Sequence, residues 1–435
     1  MNQSSLPRTV DLKSAVFILI GYIVGATIFI LPGSLAAEAG PAVFLAYLFA
    51  GIPAIFASFV MAQVGGAFPT NGASYALISK VLSPFWGFIY LCIVISMAAL
   101  IIPLIATGFA DYLQHFLPQI NTTLVSLLVI IFFVGSNCLG MVMASRIQII
   151  LVLLFLLGLT IFGVTGVLEG DVKLLQPMFP KGISPLIIAA ITAYFSYAGV
   201  FVIAEIAGEV KEPGKTIPRA ILISFIVVIS VYILVPLALV MTLPFDSYSG
   251  SSLAVVNASN KILPTWITNF IAVGALFAAA TSINGIIMGL SRDFLKGAEV
   301  NLFSQYFSKI SKETFAPIRA VVFIGVLSII GVLIGGSITE YAQVAVMGLM
   351  LTQIVIGIAV FKMPKSLPEV YQHAHYKLST KPLYFFSLGF IFFSIAFFFY
   401  LGFHSPKTIV IGALYLIICT IYFSYRKNKV DFVTT

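Results

Sequence analysis

Charged residues divide this chain into long apolar runs. Asp, Glu, Lys and Arg are absent from positions 14–37, 39–79, 81–110, 112–145, 147–168, 182–204, 220–245, 262–291, 320–339, 341–361, 382–406 and 408–425. Each of these twelve runs is 18 residues or longer, and a helix needs ~20 apolar residues to cross a bilayer. The pattern predicts an all-α integral membrane protein of twelve transmembrane helices in one domain, 1–435, with no separate soluble domain.

Two runs carry internal breaks. Gly21-Tyr22-Ile23-Val24-Gly25-Ala26-Thr27-Ile28-Phe29 places two glycines four apart and then a hydroxyl inside the first run. Glycine weakens a helix, and a bilayer leaves freed backbone groups no partner of its own. The second weak point, Phe195-Ser196-Tyr197-Ala198-Gly199, lies in the sixth run. Paired breaks at matching places mark binding sites between inverted repeats. The expected units are 14–166 and 182–361, with two further helices over 382–425. Gly65 to Tyr75 is rich in Gly and Pro and predicts a turn before a short amphipathic piece. The loop 291–318 predicts a helix lying on the membrane face, and 243–261 a polar surface loop.

Composition agrees: 60% of residues are hydrophobic and 9% charged, against roughly 25% charged in soluble domains. With the amino terminus inside, nineteen of the 23 Lys and Arg fall in cytoplasmic segments and four (Lys173, Lys181, Lys261 and Lys407) outside. That bias predicts cytoplasmic termini in a plasma membrane. It also accounts for the net charge of +8 without a nucleic-acid partner, because the cations are scattered over loops. The first run is too long for a signal peptide and reads as a retained helix. Cys92, Cys138 and Cys419 all lie in apolar runs, which disfavours a disulfide framework. His373 and His375 lack a third ligand nearby, so no metal site and no cofactor is expected.

The breaks carry the candidate chemistry. An opening between Ile23 and Thr27, permitted by Gly25, frees the amides of Ala26, Thr27 and Ile28 to start a new half-helix. Such an end suits a carboxylate. Carbonyls of Phe195 and Ala198 at the Gly199 break, opposite Ile23, suit an ammonium group, and the Phe195 ring a lid. Two readings of the first break stand: a binding site, or a small-residue packing face of Gly21 and Gly25. In the eighth run, the Ala278 carbonyl and the Thr281 and Ser282 hydroxyls share one helix face. With the Gly21 and Val24 carbonyls they make five neutral oxygens suited to Na+; alternatively the hydroxyls bond back to their own helix. Glu205 and Glu209, at the mouth of helix six, either gate by pairing with a cation or are solvated.

Glu205-Ile206-Ala207-Gly208-Glu209-Val210-Lys211-Glu212-Pro213 through Ile217-Pro218-Arg219 resembles the loop after helix six of the amino acid–polyamine–organocation (APC) superfamily. Gly21 to Phe29, Phe68 to Tyr75, Asn284 with Ser291-Arg292-Asp293, and Met363-Pro364 with Leu367-Pro368-Glu369 resemble its other motifs, in order along the chain. Two departures are Thr27, where the signature has glycine, and Glu212, where the loop has asparagine. The resemblance implies a five-plus-five inverted repeat, alternating access, and an amino acid held between helices one and six. It also implies a transporter and not an enzyme. Phe201 stands where similar arginine exchangers carry an acid, and no Asp or Glu is expected deep in a helix. A neutral, small or apolar substrate follows, since an unpaired cation at that depth costs several kcal/mol. Some proton-coupled relatives place a lysine in helix five, where this chain has Phe155. Sodium symport, exchange and proton coupling stay open, as do an amino-acid sensor or a channel as other classes.

Overall fold

The computed structural model describes residues 7–249, 251, 253–335, 338–404 and 406–427. The rest of the basic tail, Lys429 included, and residues 1–6 lie outside the described residues. Among the described residues every regular element is helical, apart from one isolated parallel bridge between Val10 and Val210.

The chain begins with α1 (Leu12–Ile23) and α2 (Thr27–Ala39), separated by three residues at the expected break. The Asp11 side chain caps α1 by accepting from the Ser14 amide at 2.8 Å, satisfying one of the orphan donors of the first turn. Gly40, at φ 79°, turns the chain into α3 (Val43–Ala67). The glycine- and proline-rich segment then turns at Gly72 (φ 64°) into the short α4 (Ala73–Val81), as expected. There follow α5 (Pro84–Ser96), α6 (Ile101–Phe116), α7 (Thr122–Cys138) and α8 (Met141–Leu168). The second part comprises α9 (Ile183–Tyr194), α10 (Val202–Glu205), α11 (Pro213–Thr242), α12 (Ala254–Ile262) and α13 (Thr265–Glu299). The last helices are α14 (Ile318–Ile334), α15 (Ile338–Ser366), α16 (Pro368–Gln372), α17 (Thr380–His404) and α18 (Pro406–Arg426).

Nine helical stretches among the described residues are long and apolar enough to cross a membrane, and α7 and α14 are apolar but shorter, at 17 residues each. The first stretch, Leu12–Ala67, has 56 residues. Unbroken, it would reach about 84 Å, far beyond a ~30 Å hydrocarbon core; the Gly40 turn folds it back. The helices flanking the two breaks pack centrally with α13, where Ala278, Thr281 and Asn284 are fully buried. At the periphery, α17 and α18 expose Phe392, Phe399, Ile418 and Ile421. An apolar exterior of this kind is what a lipid-facing surface requires.

Four expectations need correcting. Residues 300–317 hold only a 3₁₀ turn at Gln305–Ser308, not a surface helix, because α13 continues through Glu299 and consumes the first part of the loop. The segment 243–261 is not simply surface: Tyr248, Ala254, Val255 and Val256 are buried, and Ala254 packs so close to Gly33 that no side chain fits there. The second break is a 3₁₀ stretch, Phe195–Phe201, not open coil. Glu205 and Asp293 are buried, at 4% and 1% exposure, although no acid was expected within the helices; α13 outlasts its charge-free run and carries Asp293 inward.

Candidate functional site

The two breaks meet. A Cβ added to Gly199 would stand 2.6 Å from the Ile23 nitrogen and 2.7 Å from its Cα. Only glycine allows the backbones of the two broken helices to come so close. Gly25 has φ +33°, and a side chain there would strike the Ser282 hydroxyl. Glycine is therefore required on both counts.

The α2 half-helix begins without a side-chain cap. Its leading amide, Ala26, donates to Ser282 Oγ at 3.2 Å. Thr27 Oγ1 donates to the Val24 carbonyl at 3.2 Å, closing a local turn across the break. Thr27 also borders a small cavity of about 30 Å³, together with Ala26, Ile30, Leu31, Leu104, Ile105, Phe195 and Val346. Space of that size holds about two waters, so the halves must part to admit a larger ligand. Apart from the α2 amide end and the hydroxyls of Thr27 and Thr192, the lining is apolar.

Tyr232 on α11 joins the two breaks, and sequence reasoning missed it. Its hydroxyl lies 2.5 Å from the Ile23 carbonyl, 2.8 Å from the Ser196 carbonyl and 3.4 Å from Thr27 Oγ1. Its ring packs against Tyr47 and Tyr197, at centroid distances of 5.3 Å and 4.8 Å. The available signal was the single phenol of the run 220–245, since a polar atom in hydrocarbon needs a partner.

The five oxygens expected to suit a cation also converge, but on one another. Thr281 Oγ1 lies within donating distance of the Gly21 carbonyl (3.0 Å) and the Ala278 carbonyl (2.8 Å). Ser282 Oγ accepts from Ala26, and the Val24 carbonyl from Thr27. Phe155 packs on Gly274, while Gln148 and Val152 face Gly21, and Gln148 Nε2 donates to the Thr281 carbonyl at 3.4 Å. Gln148 in turn accepts from Asn284, and Asn284 from Asn137, at 3.2 and 2.9 Å.

On the face where α1 begins, Phe195 and Ala198 roof a second cavity, of about 80 Å³, which Phe201, Glu205 and Asp293 also line. Phe195 thus separates the two cavities. Phe201 packs toward Phe390 at 6.2 Å. Glu209, one of the two acids weighed as gates, pairs with Arg292 at 2.9 Å, with both side chains 1% exposed. Glu205 takes hydroxyl donors instead, Ser74 and Tyr90. This face is sewn shut by main-chain bonds: Val10 N to Glu209 O at 2.9 Å, Gly72 N to Glu205 O at 3.0 Å and His375 N to Gly66 O at 3.0 Å. The imidazoles of His373 and His375 belong to no group of three metal-binding side chains; none occurs among the described residues. The three cysteines are free.

Comparison with known proteins places this architecture. The chain is 25% identical over 446 residues to a branched-chain amino acid permease of Lactococcus lactis, covering 94% of this chain and 93% of the relative. It is 23% identical over 389 residues to one from Bacillus subtilis, covering 85% and 83%. A cationic amino acid transporter of Arabidopsis thaliana shares 26% over 349 residues, covering 74% of this chain and 59% of that protein. The family model for amino acid permeases matches residues 10–423. A bundle of apolar helices with two touching breaks, matched by that model over nearly its whole length, belongs to the amino acid permease family of the APC superfamily, whose members are membrane transporters and not enzymes.

Proposed function

We propose that this chain carries a neutral amino acid with a small or apolar side chain across the plasma membrane, by alternating access. Its twelve runs would form a five-plus-five inverted repeat, 14–166 and 182–361, followed by two helices, with both termini cytoplasmic. The observation that carries the substrate reading is the cavity at Thr27. A half-helix N-terminus suits a carboxylate, and Ile30, Leu31, Leu104, Ile105 and Val346 beside it suit an aliphatic side chain. The carbonyls of Phe195 and Ala198 at the second break, opposite Ile23, are the candidates for the amine, with the Phe195 ring as the lid. A cationic side chain would find no counter-charge in this cavity. The branched-chain permeases among the relatives support the same reading.

The deciding measurement is uptake of radiolabelled leucine into proteoliposomes, with unlabelled valine, alanine and arginine as competitors. Valine and alanine should compete and arginine should not. Preferential transport of arginine would overturn the neutral-substrate reading, and no movement of any amino acid would overturn transport itself.

A second reading concerns coupling. The converging oxygens of Gly21, Val24, Ala278, Thr281 and Ser282 are of the hard, neutral type that suits Na+. To hold it, the Thr281 hydroxyl would turn its proton from the two carbonyls and the Ser282 hydroxyl would release the Ala26 amide. Uptake that is unaltered when choline replaces sodium removes this reading.

A further inference from the structure

The cavity on the α1 side of Phe195 contains chemistry that neither an apolar substrate nor the oxygen cluster uses. Glu205, ending α10, and Asp293, on α13, both line it and are almost wholly withdrawn from solvent, at 4% and 1% exposure. Both flank the Gly72 turn: the Gly72 amide donates to the Glu205 carbonyl at 3.0 Å, and Asp293 Oδ1 would stand 3.7 Å from a Cβ placed on Gly72. Glu205 Oε1 accepts from Ser74 Oγ on α4 and from Tyr90 OH on α5, the latter at 3.1 Å. Glu205 Oε2 and Asp293 Oδ1 are buried without any donor.

Among the described residues no cation supplies that donor. Arg292, the nearest in sequence, is held by Glu209 at 2.9 Å, and Lys296 turns to Glu299 at 3.5 Å. Tyr22 from α1 and Thr352 from α15 also line the cavity, and the Gly72 amide donates to the Glu205 carbonyl. Two ionised carboxylates buried in one small cavity repel strongly. One proton on the pair removes the repulsion and leaves one acid beside one carboxylate. The α4 end, Ser74 and Tyr90 then stabilise the single remaining charge.

We propose that Glu205 and Asp293 together form the proton-binding site that couples amino-acid movement to a proton gradient. This rests on the transport reading above. The geometry ties proton binding to the conformational cycle. Ser74 and Gly72, which bond Glu205 through its side chain and its carbonyl, belong to the turn that closes this face. Opening the face withdraws those donors, admits water and lets the proton leave on the inner side. Closing it rebuilds the pair, which is recharged from the outer side past Phe195. Each cycle moves one proton in the direction of the amino acid, with no covalent step.

Proteoliposomes loaded with neutral buffer, clamped at zero membrane potential and placed in buffer one pH unit more acidic test this with radiolabelled leucine. One proton per leucine drives accumulation of up to about tenfold. Asp293→Asn should lose this accumulation while keeping leucine counterflow within about threefold of wild type, whereas Asp293→Glu, which restores a carboxyl, should recover it. Wild-type protein that exchanges leucine but ignores the pH gradient overturns the proposal, as does full accumulation by Asp293→Asn. Wild-type protein that exchanges nothing instead refutes the transport reading. A measurement on wild-type protein needs no variant to fold: an apolar carbodiimide, which labels protonated buried carboxyls, followed by peptide mapping. Label at Glu205 or Asp293 is expected; label at neither overturns the assignment.

Discussion

Replacing Tyr232 by phenylalanine removes one oxygen and leaves the ring. The packing on Tyr47 and Tyr197 therefore survives, and the change isolates the hydroxyl that lies 2.5 Å from the Ile23 carbonyl and 2.8 Å from the Ser196 carbonyl. A hydroxyl has one proton, so it serves one of the two carbonyls at a time. Its loss leaves both break carbonyls buried without that donor. An unsatisfied buried acceptor costs about 1–3 kcal/mol, and since one proton is lost, the expected total is also about 1–3 kcal/mol. That corresponds to roughly 5- to 150-fold in an equilibrium. Because both acceptors lie at the breaks, the cost should fall on the state in which helices one and six meet. Initial leucine uptake by Tyr232→Phe proteoliposomes should drop by about that factor, with a lower midpoint when protein remaining monodisperse after heating is measured. Uptake and midpoint both at wild-type values would refute the claim that this hydroxyl holds the breaks together.

Gly199→Ala places a methyl 2.6 Å from the Ile23 nitrogen; backbone cannot yield as a flexible side chain does, so uptake should be lost by overpacking of at least about 1–3 kcal/mol, and wild-type uptake would show that the breaks do not touch. Arg292→Ala strands the buried Glu209 carboxylate; it should destabilise the protein by about 3–5 kcal/mol, while replacing both partners with apolar residues of similar volume should recover most of that, as read by thermal stability in detergent. Asp11→Ala removes the α1 cap and should cost about 1 kcal/mol, measured the same way. The Ser14 amide holds the Asp11 carboxyl below the usual range. A carboxyl lowered on folding stabilises above its unfolded pKa, and the benefit fades as pH falls through the folded value. The difference between wild type and Asp11→Ala should thus be full at neutral pH and vanish only in acid below the ordinary aspartate range.

The membrane class and the first break were legible because each rests on local physics. A bilayer demands apolar length, and a glycine pair weakens a helix wherever it stands. Gly21, Gly25 and Gly199 could be singled out on those grounds before any contact was known. The turn at Gly72 was legible too, since Gly65, Gly66, Pro69 and Gly72 cluster in one short segment. Local pattern misled where a helix outran its apolar run: Asp293 looked like a loop residue, but α13 carries it, with Glu205, into a closed cavity. Helix register decided that Gln148 and Val152 face Gly21 while Phe155 packs on Gly274. Tyr232 could not be ranked above the other 17 tyrosines, because its three oxygen neighbours come from positions 23, 27 and 196. A one-dimensional pattern records which groups need partners in a membrane; which groups become those partners is set by the packing of helices far apart in the chain, and only the tertiary structure decides it.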